Sequence, residues 1–324
     1  MRVASWIRIG AWLLVALTPL GAGAEDYPTR SVRIINPWVA GGSSDAVTRI
    51  LAQKLSEELG QQVVVDNRPG ATGTLGTGIT AKSPADGYTL LLTTNSTYAI
   101  APHLYKNLSY DMGTDFTPIS LVGRVTQILC VNPTLPVSDF KSFFAYVRAN
   151  PDKVAFSTAG YGATSHLATE LLMMTGELKM LHVPYKGGAP SVQAVINGET
   201  SLTFVDVITA LPFVQSGQLR ALGAGTLQRA TMMPDVPTID EGGLRGFHSS
   251  TDFALYAPAA TPKDVVAKLV AATHKALDAA DVKERLSNQG IDIVDGGPEV
   301  FGSYFKAETD KWGQVIRTRN VRIE

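Results

Sequence analysis

Apolar residues along this chain follow two rhythms. Short runs such as Val32-Arg33-Ile34-Ile35, Gln62 to Asp66 and Tyr88 to Thr93 read as strands. Between them, residues such as Val47, Ile50, Leu51 and Leu55 recur at helical spacing. The alternation continues to the end. Strands are predicted at Ile119 to Val122, Ile128 to Val131, Met180 to Val183, Leu202 to Val205, Leu219 to Gly225, Phe253 to Tyr256 and Ile291 to Val294. Helices are predicted over 138–149, where Phe140, Phe143, Phe144 and Val147 share a side, from Pro262 to about Asp278, over 282–289, and from Pro298 through Trp312 and Ile316. Roughly ten strands alternating with helices predict an α/β fold with largely parallel sheets. Tyr88 to Thr93 is apolar almost throughout, as expected for a strand covered on both faces. The stretch 119–131 reads as a crossing from a first lobe to a second, and Phe253 to Tyr256 as the return. Two crossing strands make a natural hinge.

Two places where strand gives way to helix share one design. In the first, Pro37 ends the strand, Gly41-Gly42 turn the chain, and Ser43, Ser44 and Asp45 open the helix. In the second, Ser157 and Thr158 end a strand, Gly160 and Gly162 turn, and Thr164 and Ser165 precede Leu167, Leu171 and Leu172. Such a turn leaves main-chain N–H groups outward at the positive end of a helix, a place for an anion that needs no lysine or arginine. One such turn alone reads better as a tight bend with Asp45 as its cap. Two, one per lobe, predict a cleft that closes on a small carboxylate.

Composition narrows the reading. The first 24 residues carry Arg2 and Arg8, an apolar core from Ile9 to Leu20, and the small-x-small site Ala22-Gly23-Ala24, the pattern of a cleaved signal peptide. Cleavage after Ala24 leaves about 300 residues, enough for two domains with their own cores. Losing Arg2 and Arg8 from 28 basic side chains leaves the 29 acidic ones in slight excess. That balance argues against nucleic acid and supplies no steering field for anions. The single cysteine, Cys130, lies in an apolar run and reads as a buried thiol.

Catalytic and metal chemistry find little support. The five histidines do not pair at ligand spacing, and no G-x-S-x-G elbow or phosphate loop occurs. No cofactor is expected. His166, just inside the second helix, either orients its loop or touches ligand. Asn95 and Ser96 follow a strand end, where ligands gather in open α/β sheets, or belong to a solvated loop. Asp206 ends a strand. It either caps the next helix or faces the cleft, where it would accept from a hydroxyl or ammonium and oppose a second carboxylate. Trp38 is either a wall for the ligand's carbon skeleton or a cover for the rim.

Read together, YPTRSVRIINPWVAGGSSDAVTR, NRPGATGTLGTG, SPADGYTLLLTT, FSTAGYGATSHLATELL, VPYKGGAPSVQAVINGE, SGQLRALGAGT and VPTIDEGG resemble the extracytoplasmic receptors of tripartite tricarboxylate transporters, the Bordetella uptake gene family. The match runs in order over essentially the whole mature chain. The resemblance implies a two-lobed periplasmic binding protein of the type II Venus-flytrap class, each lobe a mostly parallel sheet flanked by helices. The expected lobes are 25–125 with 253–324, and 126–252, with hinge strands near 126–132 and 250–257. It implies a monomer that delivers an organic anion to a permease of one large and one small membrane subunit. Carried onto this chain, the ligand carboxylate falls between Ala40, Gly41, Gly42 and Ser44 in the first loop and Ala159, Gly160, Tyr161 and Gly162 in the second, within 158–166. Ala163 stands where the family usually has serine, so Thr164 is expected to supply the hydroxyl. An exported enzyme acting on such an acid, or a receptor serving a signalling partner, are the alternatives.

Overall fold

The computed structural model describes residues 27–323. The expected signal peptide, 1–24, lies outside the described residues.

The chain folds as β1 (Val32–Asn36), α1 (Ser43–Leu59), β2 (Val63–Asn67), α2 (Thr74–Ala81), β3 (Thr89–Thr94), α3 (Ala101–Leu104), β4 (Phe116–Val131), α4 (Phe140–Ala149) and β5 (Ala155–Thr158). It continues through α5 (Thr164–Gly176), β6 (Leu181–Pro184), α6 (Gly188–Ile196), β7 (Leu202–Asp206), α7 (Val207–Gln215), β8 (Arg220–Ala224), β9 (Ser250–Pro258), α8 (Lys263–Asp278), α9 (Ala280–Ser287), β10 (Ile291–Gly296) and α10 (Pro298–Arg319). The strands join in the order β2-β1-β3-β9-β4-β7-β5-β6, with β8 and β10 also on β4.

The two strands read from sequence at 119–131 are one strand of 16 residues, and it organises the molecule. Its first part, up to Thr126, pairs with β9 and β10. Its last part, from Gln127 to Val131, pairs with β7 and β8. The first lobe is therefore built on β2-β1-β3-β9-β4 and the second on β4-β7-β5-β6. Each lobe's outer strands are parallel, while every pairing of β4 and β9 is antiparallel, so the sheets are mixed. The reason is topological: a chain that leaves one lobe and returns must run back along the strand that carried it out.

Both faces of the first sheet are covered. Ile34, Leu90 and Leu92 enter one apolar layer while Ile35 and Leu91 enter the other, all fully buried. That is why β3 is apolar at consecutive positions: with period-two alternation, each face needs its own set. Helix α4 starts with a reciprocal cap, in which Asp139 accepts from the Ser142 N–H at 2.7 Å and the Ser142 side chain bonds back. Before α2, the glycine-rich stretch makes a single 3-10 turn, Ala71–Gly73, with Thr72 and Gly73 left-handed at φ 56 and 84. Parallel strands end on the rim facing the groove between lobes, and so α1, α5 and α6 all start there.

Candidate functional site

The first glycine loop is held by a carboxylate. Gly41 is left-handed, φ 87, a backbone that glycine adopts without strain. Its N–H donates to Asp45 Oδ2 at 2.9 Å. The same carboxylate accepts from Arg49 Nε and Asn67 Nδ2, both at 2.9 Å, and Asn67 also donates to the Trp38 carbonyl. Burial would raise the Asp45 pKa, but the bonds from Arg49, Gly41 and Asn67 outweigh it and hold the carboxyl below its ordinary range. Asp45 therefore shapes the loop, and it does not line the cleft. Gly42 is the N-cap, extended and without any side-chain cap. The first-turn N–H groups of Ser43 and Ser44 consequently have no intrahelical partner. Ser44 Oγ bonds to Asn36 inside its own lobe, whereas Ser43 Oγ reaches across to Asp206.

The second loop is satisfied internally. Ala159 N–H donates to Ser165 Oγ, Gly160 N–H to Thr158 Oγ1 and Gly162 N–H to His166 Nδ1, at 3.0, 3.2 and 3.2 Å. His166 thus orients the loop, and its donated-to Nδ1 leaves the proton on Nε2, 3.6 Å from Glu170. It stacks on His182 with centroids 4.0 Å apart, and burial with the neighbouring His166 lowers the His182 pKa to about 3. Tyr161 closes this group edge-on and is half exposed. Gly162 passes so close to the first lobe that a Cβ would lie 2.8 Å from Leu104 Cδ1.

Two cavities of about 400 and 220 Å³ fill the groove between lobes. Gly42, Ser43, Ala159, Thr164, Gly188 and Asp206 line both, so they form two chambers of one cleft. The larger extends over Gly41, Gln127, Ser165, Ile208 and Gln289, the smaller over Trp38, Ser44, Thr94, Ser96 and Phe253. Of the residues singled out from sequence, Trp38, Gly41, Gly42, Ser44, Ser96, Ala159, Thr164 and Asp206 therefore meet. Ala40, Asp45, Asn95, Thr158, Gly160, Tyr161, Gly162 and His166 do not line either chamber. Asn95 is fully buried, donating to the Ser250 carbonyl at 2.9 Å and accepting from the Asp252 N–H. It ties β9 to the end of β3. Asn95→Ala is expected to cost about 2 kcal/mol of stability while leaving ligand affinity within twofold, measurable by urea denaturation and calorimetric titration.

Asp206 does not cap α7 with its side chain. Its Oδ2 accepts from Ser43 Oγ of the first lobe at 2.8 Å and its Oδ1 from Thr251 Oγ1, at the start of the crossing strand β9, at 2.9 Å. Burial pushes its pKa up, and the two hydroxyls offset this only in part. Thr164 Oγ1 lies between Gln127 Nε2 and Thr251 Oγ1, both about 3.1 Å away. Read from sequence, Ser43 is only a helix opener, and no ligand role falls on Gln127, Thr251 or the Gly187-Gly188 start of α6. The last had a visible signal, since it repeats the glycine-turn-helix design; the others are ordinary polar residues in sequence.

A further cavity of about 500 Å³ lies against β10 and the 226–231 turn. Of its guanidinium groups, Arg229 pairs with Glu241, while Arg124 Nε lies 3.7 Å from Asp252 without a hydrogen bond. None of the residues that line the two chambers of the cleft lines it.

The family model for the tripartite tricarboxylate transporter family receptor matches residues 47–321. BugT of Bordetella pertussis is 35% identical over 317 residues, covering 98% of this chain and 97% of its own length. Among solved structures, the periplasmic binding protein BugD is 34% identical with a TM-score of 0.80, over 92% of this chain and 100% of that one. Rpa4515 of R. palustris, solved with adipate, is 32% identical with a TM-score of 0.84, over 92% and 99%. Among the described residues no helix is long and apolar enough to cross a membrane. The chain therefore belongs to the tripartite tricarboxylate transporter receptor family, the Bug proteins, and is a periplasmic solute-binding receptor rather than an enzyme.

Proposed function

We propose that the two-chambered cleft captures a small organic carboxylate. The observation that carries this is the convergence of helix starts. The first turns of α1, α5, α6 and α7 supply lining residues of the larger chamber, and among the described residues no lysine, arginine or histidine lines either chamber. Main-chain N–H groups of Gly42, Ser43, Ser44, Thr164, Ser165, Gly188 and Ala189 are the proposed grip, with the Trp38 and Phe253 rings as walls. A hydrogen bond to a charged group contributes about 1.5–3 kcal/mol, so four or five, less the cost of ordering, reach the roughly −8 kcal/mol of a micromolar complex. The buried Thr94 hydroxyl and Trp38 indole N–H, which make no hydrogen bond among the described residues, are further donors at the smaller chamber. Adipate in the neighbour Rpa4515 is of the same ligand class.

The lobes we propose are 25–125 with 253–324, and 126–252, hinged near 126–132 and 250–257. The receptor acts as a monomer after cleavage behind Ala24 and hands its ligand to a permease of one large and one small membrane subunit. A thermal-shift screen of carboxylates tests the binding claim. Ligand at a hundred times its dissociation constant adds about 2.7 kcal/mol, which appears as a rise of several degrees. A panel spanning hydroxy, amino, aromatic and dicarboxylic acids that moves the midpoint nowhere would overturn it.

A further inference from the structure

The cleft carries a definite charge balance. Each helix start is equivalent to roughly half a positive charge, so the four facing starts amount to roughly +2. Among the described residues Asp206 is the one ionisable side chain lining either chamber, and it lines both. Its single negative charge leaves about one positive unit for the ligand to match. No ligand can occupy the two chambers without passing this carboxylate. Ser43 and Thr251 each donate one hydrogen bond to it, one per oxygen, and each oxygen retains a lone pair.

We propose that Asp206 sets the charge of the cargo: the receptor takes a carboxylate of net charge −1 that turns a hydroxyl or ammonium donor toward Asp206, and it rejects an unmasked dicarboxylate. This rests on the carboxylate reading of the cleft. A donor at Asp206 gains a charge-assisted bond in a desolvated site, whereas a second carboxylate meets like charge where water cannot screen it. The α7 start behind Asp206 and the α1 start opposite stabilise one negative charge there, and Asp206 already supplies it.

Matched pairs test the claim. 4-Hydroxybutyrate against succinate, and 6-hydroxyhexanoate against adipate, differ only in replacing a terminal alcohol by a carboxylate. Calorimetric titration at neutral pH should show wild type binding the hydroxy acid of a pair at least about tenfold tighter. Asp206→Asn, near-isosteric and able to keep contacts with Ser43 and Thr251, should shift that ratio at least about tenfold toward the dicarboxylate. Asp206→Ser, smaller and also neutral, should shift it the same way, and circular dichroism establishes that each variant is folded. Wild type preferring the dicarboxylates, or a ratio unmoved in both variants, overturns the proposal while sparing the site. Failure of wild type to bind any member of either pair, together with a negative thermal-shift panel, overturns the carboxylate reading itself and this proposal with it.

Discussion

Gly42→Pro is expected to fold normally and to lose carboxylate binding by at least a hundredfold. The fold tolerates proline here for local reasons. Gly42 has φ −89 and ψ 174, near the backbone that proline prefers. A Cβ there meets only the Val39 carbonyl at 3.9 Å. The Ala46 N–H bonds to the Gly42 carbonyl, which proline retains. The restriction that proline places on its predecessor falls on Gly41, a residue free of Cβ. Binding suffers twice. The main-chain N–H at position 42 disappears, removing about 1.5–3 kcal/mol if it meets a charged ligand. The ring also projects into a wall common to both chambers, and forced overpacking costs typically 1–3 kcal/mol. At 1.4 kcal/mol per tenfold, the sum is roughly a hundredfold or more. Unchanged affinity by titration calorimetry, with a normal melting curve, would remove the first loop from the site.

The second large effect lies away from the cleft. Arg319, at the end of α10 in the first lobe, donates from Nε to Glu170 Oε2 at 2.8 Å in α5 of the second. Burial alone would raise the Glu170 pKa, yet bonds from His166 and Arg319 bring it below its ordinary value. Arg319→Ala leaves this buried carboxylate with only His166, 3.6 Å away, and should cost about 3 kcal/mol, since removing the close partner of a buried pair leaves the other poorly compensated. Because the pair joins the lobes, ligand affinity should weaken several-fold as the closed arrangement becomes less populated. The pH dependence follows in sign. A carboxyl whose folded pKa is depressed contributes stability above its unfolded pKa, and the contribution is lost as pH falls through the folded value. Wild type should therefore lose this increment only below the usual glutamate range, while the variant, lacking it, should show a flatter acid limb. Denaturant titrations of both proteins from pH 3 to 7 measure this; parallel profiles would refute the role given to the pair.

Where the sequence was legible, the information was local. A strand apolar at consecutive positions, such as Leu90-Leu91-Leu92, announces two covered faces. Glycine pairs before hydroxyl residues announce helix starts, and α1 and α5 begin where those signals stand, but the hydroxyl residues expected as caps lie inside the first turns, and Gly42 and Ala163 hold the N-cap positions without a side-chain cap. The family motifs run through the whole chain in order, which made the receptor class readable before any coordinates. The boundary between useful and misleading is clear in the second loop. Gly160 and Gly162 were correctly read as a turn, but the period of a turn says nothing about which side it presents. The N–H groups of Ala159, Gly160 and Gly162 are taken by Ser165, Thr158 and His166, and its tip lies against Leu104 and Thr72 of the other lobe.

Asn95 and Asp206 show the same limit from both sides. Each is a polar residue at a strand end, and nothing nearby in sequence separates them. Asn95 finds its partners at Ser250 and Asp252 and becomes part of the frame. Asp206 finds Ser43 and Thr251 and stands in the cleft wall. The amino-acid order by itself determined the class of fold, the places where helices begin, and the absence of cationic side chains from the two glycine loops around Gly41-Gly42 and Gly160 to Gly162, because periodicity, glycine and capping chemistry act over a few residues. Only the tertiary structure decided that α6 and α7 join α1 and α5 around one groove, and that a single carboxylate stands among them. Those facts depend on β4 passing through both sheets, which brings together side chains that no local spacing relates.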